Sequence, residues 1–425
     1  MIMKIITSSD WHLGNLFHGN DRLPEHKHFL HWLLEQIEIQ QPDALLVAGD
    51  VFDNGNPSAA AQTAYYEFLA DATTVCPSMH IVITAGNHDS AARLEAPRPM
   101  LSRHNVEIRG NVQRTWQKMD GEGQWVTNYD DLILPLKNAA GEEVVVLTVP
   151  YLRSDVVQNS SYSQGVNQFL QELTRKARDL HPGSPLIMMA HMYAKGAEIA
   201  RLDASERIII GGQEEVNMDG WTDHPDYLTC GHIHKRQPIW NTDWARYTGS
   251  ILPMSFAEVD YQHGVDLLTL NGKDPFQVEF LEYVPQHRLR ILPENDEELS
   301  PKKLAKLIET ALPDRKPDGT LSDTFEYVMI KAKIDILNND EIKKLEELIK
   351  KKDAVLCKIQ KAITGIDLTT ISGDESIVSV DDILNRDPLD TLKETYAAIH
   401  KTEMSEHQIA MLKELLSDIS DKESD

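Results

Sequence analysis

Short apolar runs rich in β-branched residues alternate with helical periodicity through the first two thirds of the chain. Lys4-Ile-Ile-Thr7, Ala44-Leu-Leu-Val-Ala48, His80-Ile-Val-Ile-Thr84, Leu186-Ile-Met-Met-Ala190 and Tyr227-Leu-Thr-Cys230 read as buried strands, and residues 245–284 as further strands. Between them, Leu30, Leu33, Leu34 and Ile37 share one helix face that ends before Pro42. Asn56-Pro57 reads as the N-cap and first position of a helix carrying Ala61, Tyr65, Phe68 and Leu69. Residues 125–150 predict a hairpin turning at Ala140-Gly141. A β-α-β-α-β order of this kind predicts a layered α/β domain.

After Pro285 the pattern changes. Arg288–Leu292, Glu326–Ala332 and Ala354–Ile359 read as strands, with helical patterns around 301–312 and 340–352, which makes a small α+β domain. A Gly- and Ser-bearing linker near 365–376 precedes helical segments around 379–399 and 404–420. In the second of these, Ile409, Leu412, Leu416 and Ile419 form one apolar face, suited either to an intramolecular core or to a partner helix. The expected division is therefore 1–285, 286–365 and 366–425.

Composition narrows the class. The chain has 425 residues, 41% hydrophobic and 26% charged, enough for two or three cores and unlike a disordered or fibrous protein. No apolar run approaches the ~18 residues of a membrane helix, so no membrane association is expected. The first ten residues lack the basic and apolar regions of a signal peptide. Cys76, Cys230 and Cys357 are far apart and form no CxxC pair, which fits a reducing cytoplasm better than a disulfide framework or zinc ribbon. The net charge of −25 opposes phosphate binding, because phosphate contacts want Lys and Arg. The segment 286–365 is nearly neutral, however. Its Lys343, Lys344, Lys350, Lys351 and Lys352 form either a solvated helix face or a grip on DNA phosphates.

Five polar clusters stand immediately after predicted strands: Asp10-Trp-His12, Gly49-Asp50-Val-Phe-Asp53, Gly86-Asn87-His88-Asp89, His191, and Gly231-His232-Ile-His234. Strand carboxyl ends in an open α/β sheet converge on one crevice. If the chain stays extended there, Asp10 with His12 and His232 with His234 each face the same way. The preceding glycines permit a tight exit from the strand. Carboxylates, an amide oxygen and imidazoles without thiolate suit Mn²⁺ or Fe²⁺, with Zn²⁺ possible. Such a set is too large for one ion with an open position, and fits two ions sharing a carboxylate. Trp11 reads as packing beside the site rather than as a base-stacking platform, and Asp89 as a supporting or turn residue.

The order D-x-H, GD-x-x-D, GNHD, H, GH-x-H resembles the signature of calcineurin-like metallophosphoesterases. Ser9-Asp-Trp-His-Leu-Gly14, Val47-Ala-Gly-Asp-Val-Phe-Asp53 and Gly249-Ser250 before Pro253 narrow the resemblance to the double-strand-break repair nucleases. The resemblance implies a layered β-sandwich flanked by helices, a small α+β capping domain and C-terminal partner-binding helices. It implies Asp10, His12 and His234 on one metal ion, Asn87, His191 and His232 on the other, and Asp50 bridging. His88 would act on the leaving oxygen, with Asp53 orienting it. His191 follows Ala190 where relatives often have Gly, and Asp53 is followed by Asn54-Gly55 rather than the Arg-Gly of protein Ser/Thr phosphatases. The implied activity is Mn²⁺-dependent 3′–5′ exonuclease and hairpin- or end-opening endonuclease cleavage. It would act in DNA repair, recombination and replication, as a homodimer within a heterotetramer with an SMC-like ATPase of the SbcC type. The chain carries no GxxxxGK[ST] loop, so ATP dependence would come from that partner. The competing expectations are a small-molecule phosphoesterase of the same superfamily and a non-catalytic DNA-end tether.

Overall fold

The computed structural model describes residues 2–119, 122–157, 161–198, 215–218, 221, 223–272, 274–295, 299–334 and 339–363. The apolar face of Ile409, Leu412, Leu416 and Ile419 lies outside them.

Two six-stranded sheets carry the first 285 residues. One runs, in spatial order, Gln277–Tyr283, His263–Asn271, Ile2–Ser8, Ala44–Ala48, His80–Thr84 and Val106–Arg109. The other runs Gln237–Pro238, Ala245–Tyr247, Tyr227–Gly231, Leu186–His191, Glu143–Thr148 and Ile133–Lys137. Residue alternation distributes each strand between two cores. Ile5, Leu46 and Val82 of the first sheet meet Val146, Ile187 and Met189 of the second. Their neighbours Ile6, Leu45 and Ile83 pack outward against the helices Leu23–Gln40 and Ala59–Val75. The helix Tyr162–Leu180 covers the outer face of the second sheet. Both faces of both sheets are thus covered, which is why their central strands are continuous apolar runs. The central strands pair in parallel, so the chain leaves Ser8, Ala48, Thr84, His191 and Gly231 on the same edge.

The third sheet, Leu289–Leu292, Glu326–Ile334 and Ala354–Ile363, is parallel throughout and packs on the helices Pro301–Ala311 and Asn339–Ile349. Two local expectations are corrected. The second long helix is capped by Ser58, whose hydroxyl accepts from Ala61 N at 3.2 Å, so Asn56-Pro57 lies outside it. The hairpin through Gly141 spans Ile133–Lys137 and Glu143–Thr148, whereas Glu122–Thr127 pairs with Arg114–Met119 in a separate ribbon. On that ribbon Trp116 and Trp125 stand opposite each other with ring centroids 5.3 Å apart, a cross-strand pair. No helix among the described residues is long and apolar enough to cross a membrane.

Candidate metal centre

The five clusters do meet, but not through strand alternation. Strand geometry ends at Ser8 and at Gly231. Asp10, His12, Asp50 and His232 then adopt left-handed backbone angles, φ of 52°, 46°, 50° and 96°. Such angles are costly for residues other than glycine and persist only where the surroundings impose them. Here the imposition is visible: the Asp10 and His12 amides donate to the carbonyls of Gly49 and Asp50 at 3.1 and 3.0 Å, zipping two post-strand loops together. The expectation of extended i, i+2 pairs is therefore replaced by strained turns that aim each side chain separately.

The side chains form one compact cluster. Asp10, His12 and His234 each offer a donor atom within 4.8 Å of the others, as do Asp10, Asp50 and His191, and also His12, Asp50 and His88. The Asn87 amide oxygen lies 2.9 Å from His191 Nε2 and 3.0 Å from His232 Nδ1. Asp50 Oδ2 sits 3.3 Å from His191 Nε2 and 3.7 Å from His12 Nε2, central to the group. Two glycines are required by close approach. A Cβ on Gly49 would lie 2.2 Å from His191 Nδ1, and one on Gly86 2.1 Å from Asp50 Oδ1.

The donor set fits divalent ions. The His12 ring is buried, and neither of its nitrogens has a hydrogen-bond partner. An unsatisfied buried imidazole is expensive, and a metal ion is the natural partner for it. His191 uses Nδ1 on the Ala48 carbonyl at 3.0 Å, which leaves Nε2 as the atom it can offer to an ion. His234 uses Nδ1 on the Glu258 carboxylate at 3.2 Å, with the same result. Ligating histidines are commonly oriented in this way.

Electrostatics follow from burial and crowding. Burial raises the Asp10 carboxyl. Burial also opposes ionisation of Asp50, but His191 and His12 outweigh it and hold that carboxyl below its ordinary range. Burial depresses His191 as well, yet the facing Asp50 carboxylate lifts it to about 9. Burial and the neighbouring His191 lower His232 to about 3. Asp89 is buried beneath the cluster, where it accepts from Val51, Phe52 and Gly86 N at 3.1, 2.9 and 2.9 Å. Burial and then Asp50 raise it to about 6.

The half-buried His88 places Nδ1 2.8 Å from the main-chain carbonyl of Asp53, not from its carboxylate. The Asp53 carboxylate instead accepts from Asn15 Nδ2 at 2.8 Å and lies 3.8 Å from His12 Nδ1. The implied carboxylate support of His88 is corrected accordingly. Trp11 packs edge-on against Phe68 and Phe29 in the core. The lysine run divides. Lys343, Lys344, Lys350 and Lys351 are exposed. Lys352 is buried, paired with Asp314 at 2.8 Å and donating to the Glu309 carbonyl at 3.1 Å, which removes it from the DNA-contacting candidates. Sequence reasoning missed Asn15 and Glu258, which carry no local motif and act only through the fold.

Residues 3–236 match the family model for calcineurin-like phosphoesterases. The chain is 35% identical to the SbcD component of the SbcCD nuclease from Rhodobacter capsulatus, over 78% of this chain and 80% of the relative. It is 33% identical to the corresponding SbcCD nuclease component of Escherichia coli K12, over 64% of this chain and 66% of the relative. The Bacillus subtilis counterpart is 29% identical over 63% of this chain and 66% of its own length. Matched over residues 3–236 by that family model and over most of its length by the Rhodobacter capsulatus relative, the chain belongs to the calcineurin-like phosphoesterases and, within them, to the family of SbcD nuclease subunits.

Proposed function

We propose that the chain is a DNA nuclease subunit using two divalent ions, Mn²⁺ first among them. The observation that carries this reading is the buried His12 imidazole, amid carboxylates but with no hydrogen bond to either ring nitrogen, in a chain similar to nuclease subunits. Asp10, His12 and His234 would hold one ion, Asn87, His191 and His232 the other, with Asp50 shared. When bound, such a pair would supply Lewis-acid stabilisation of the developing charge and a nucleophile near neutral pH. His88, anchored through Nδ1 on the Asp53 carbonyl, keeps Nε2 for the leaving oxygen, the geometry of a positioned acid. Asp53 shapes this corner through its carbonyl and through Asn15.

The activities proposed are 3′–5′ exonuclease and hairpin- or end-opening endonuclease cleavage, in the cytoplasm, during DNA repair, recombination and replication. Residues 1–285 would form the catalytic domain, 286–365 the capping domain, and 366–425 the segment that docks on an SbcC-type ATPase in a heterotetramer containing two copies of this chain. The test compares linear duplex, hairpin DNA and nucleotide monophosphoesters, with Mn²⁺ or Mg²⁺, with and without the ATPase and ATP. Metal-dependent cleavage of DNA is expected. Hydrolysis confined to small phosphoesters would sink the proposal. Truncation after about residue 376 should abolish co-purification with the ATPase while leaving basal cleavage.

A further inference from the structure

Glu258 is completely buried and close to the metal centre, yet it is not among the candidate ligands. Each of its two oxygens has a hydrogen-bond partner. Oε1 lies 3.2 Å from His234 Nδ1, and Oε2 accepts from the Met254 amide at 2.8 Å. Ser255 caps the intervening turn by accepting from Ala257 N at 3.2 Å, so the carboxylate sits on a short, internally bonded loop. With its Nδ1 hydrogen given to Glu258, His234 presents Nε2 to the trio it forms with Asp10 and His12.

The same loop is gripped from the three-stranded unit. Phe256 packs on Phe17, ring centroids 5.3 Å apart, in one cluster with Leu289, Tyr327 and Met329. At the start of the loop the Pro253 carbonyl accepts from Arg22 Nη1. Arg22 is fully buried and bidentate with Glu25, Nε to Oε1 at 2.9 Å and Nη2 to Oε2 at 2.8 Å. Tyr327, from the three-stranded unit, donates its hydroxyl to Glu25 Oε1 at 3.2 Å. A buried ion pair stabilises little once desolvation is counted, so its consequence here is directional: it fixes where the Pro253 carbonyl stands.

We propose that Glu258 is a positioning residue for the metal ion held by His234, and that the three-stranded unit keeps it in place through Tyr327, Arg22 and Phe256. This rests on the reading of Asp10, His12 and His234 as ligands. The His234 ring N–H and the Met254 amide both donate to Glu258, each to its own oxygen. A glutamine offers one oxygen and an NH₂ group, so Glu258→Gln cannot accept from both donors on separate oxygens: either one contact is lost or His234 turns to the Nε2–H tautomer, which takes Nε2 away from the trio.

The test is Mn²⁺ titration of the metal-stripped full chain, read by electron paramagnetic resonance and calorimetry, alongside thermal unfolding without metal. The wild type should take two ions. Glu258→Gln should weaken one of them roughly 10–100-fold and leave the other unchanged. Tyr327→Phe, a milder change, should weaken the same ion roughly twofold to tenfold. Unchanged affinity for both ions in Glu258→Gln overturns the positioning role, even if its unfolding temperature falls. Unchanged affinity in Tyr327→Phe overturns the link to the three-stranded unit. Should Glu258→Gln fail to fold, ¹⁵N-histidine NMR of the metal-free wild type decides: His234 as the Nδ1–H tautomer supports the role, and the Nε2–H tautomer overturns it. A wild type that binds no Mn²⁺ would instead remove the ligand assignment beneath the proposal.

Discussion

His191 stands on one sheet and sends its Nδ1 hydrogen to the carbonyl oxygen of Ala48 on the other, 3.0 Å away. The orientation of a candidate ligand therefore depends on how the two sheets pack, and not on its own strand alone. His191→Ala should lose both the ligand and this inter-sheet bond. Metal content and DNA cleavage should fall together, while His191→Ala keeps its secondary structure by circular dichroism. Retention of two ions by the variant would remove His191 from the site.

Gly86→Ala separates the close-approach argument from simple backbone freedom. Gly86 does not need a left-handed backbone, but its added Cβ would lie 2.1 Å from Asp50 Oδ1 and 2.3 Å from Asp50 N. The Asp50 carboxylate must move. Mn²⁺ binding should weaken for both ions, since Asp50 touches donors of each group, and calorimetry on the folded variant measures it. Wild-type affinity would mean the loop yields without disturbing Asp50.

His88→Ala should keep two ions and lose roughly 10²–10⁴ in turnover, the usual range for a positioned acid. Asp53→Asn should be far milder, because the contact to His88 comes from the main-chain carbonyl, which the substitution retains. Paired metal analysis and single-turnover cleavage distinguish the two. Equal losses in both variants would argue that the Asp53 carboxylate acts directly.

The lysines should divide by burial. Glutamate at Lys350 and Lys351, both exposed, should weaken duplex binding and flatten its salt dependence. Lys352→Ala should act on stability instead, by about 1–2 kcal/mol, since it removes the bonds to Asp314 and the Glu309 carbonyl. Filter binding over a salt series and urea unfolding provide the two readings.

A pH effect on stability is expected away from the metal centre. His26 is buried with neither ring nitrogen hydrogen-bonded, and burial, with Arg22 beside it, lowers it to about 3. The folded state thus prefers the neutral ring. Its contribution is complete above the ordinary value of 6.5 and is lost as pH falls from there toward about 3. Each unit of difference corresponds to about 1.4 kcal/mol. Urea unfolding of the metal-free chain at pH 7 and 4.5 should show a smaller drop in His26→Leu than in the wild type.

Much of this was legible from pattern. The strands Ala44–Ala48 and His80–Thr84 stand where the apolar runs place them, because strands covered on both faces cannot hide in periodicity. The clusters were legible because chemistry-bearing residues follow those strands directly. What escaped was geometry created by tertiary contact. Left-handed angles at Asp10, His12 and Asp50 go with backbone hydrogen bonds between loops, and that at His232 with its amide bond to the Asp10 carboxylate, none of which local propensity announces. The His88 contact is to a carbonyl, which sequence does not mark, and Glu258 reaches His234 only after an intervening excursion through two strands. Ser58 displaced Asn56 as the cap because its hydroxyl accepts from the first turn, whereas the Asn56 side-chain oxygen accepts from Arg93.

The most direct test of the central claim is cleavage of linear duplex DNA by EDTA-treated full chain as Mn²⁺ is added back in known equivalents. The expected result is no cleavage without metal, activity that saturates at two bound ions per chain, and none at any Mn²⁺ level in His191→Ala. Cleavage that survives EDTA, or that is equal in His191→Ala, would contradict the account.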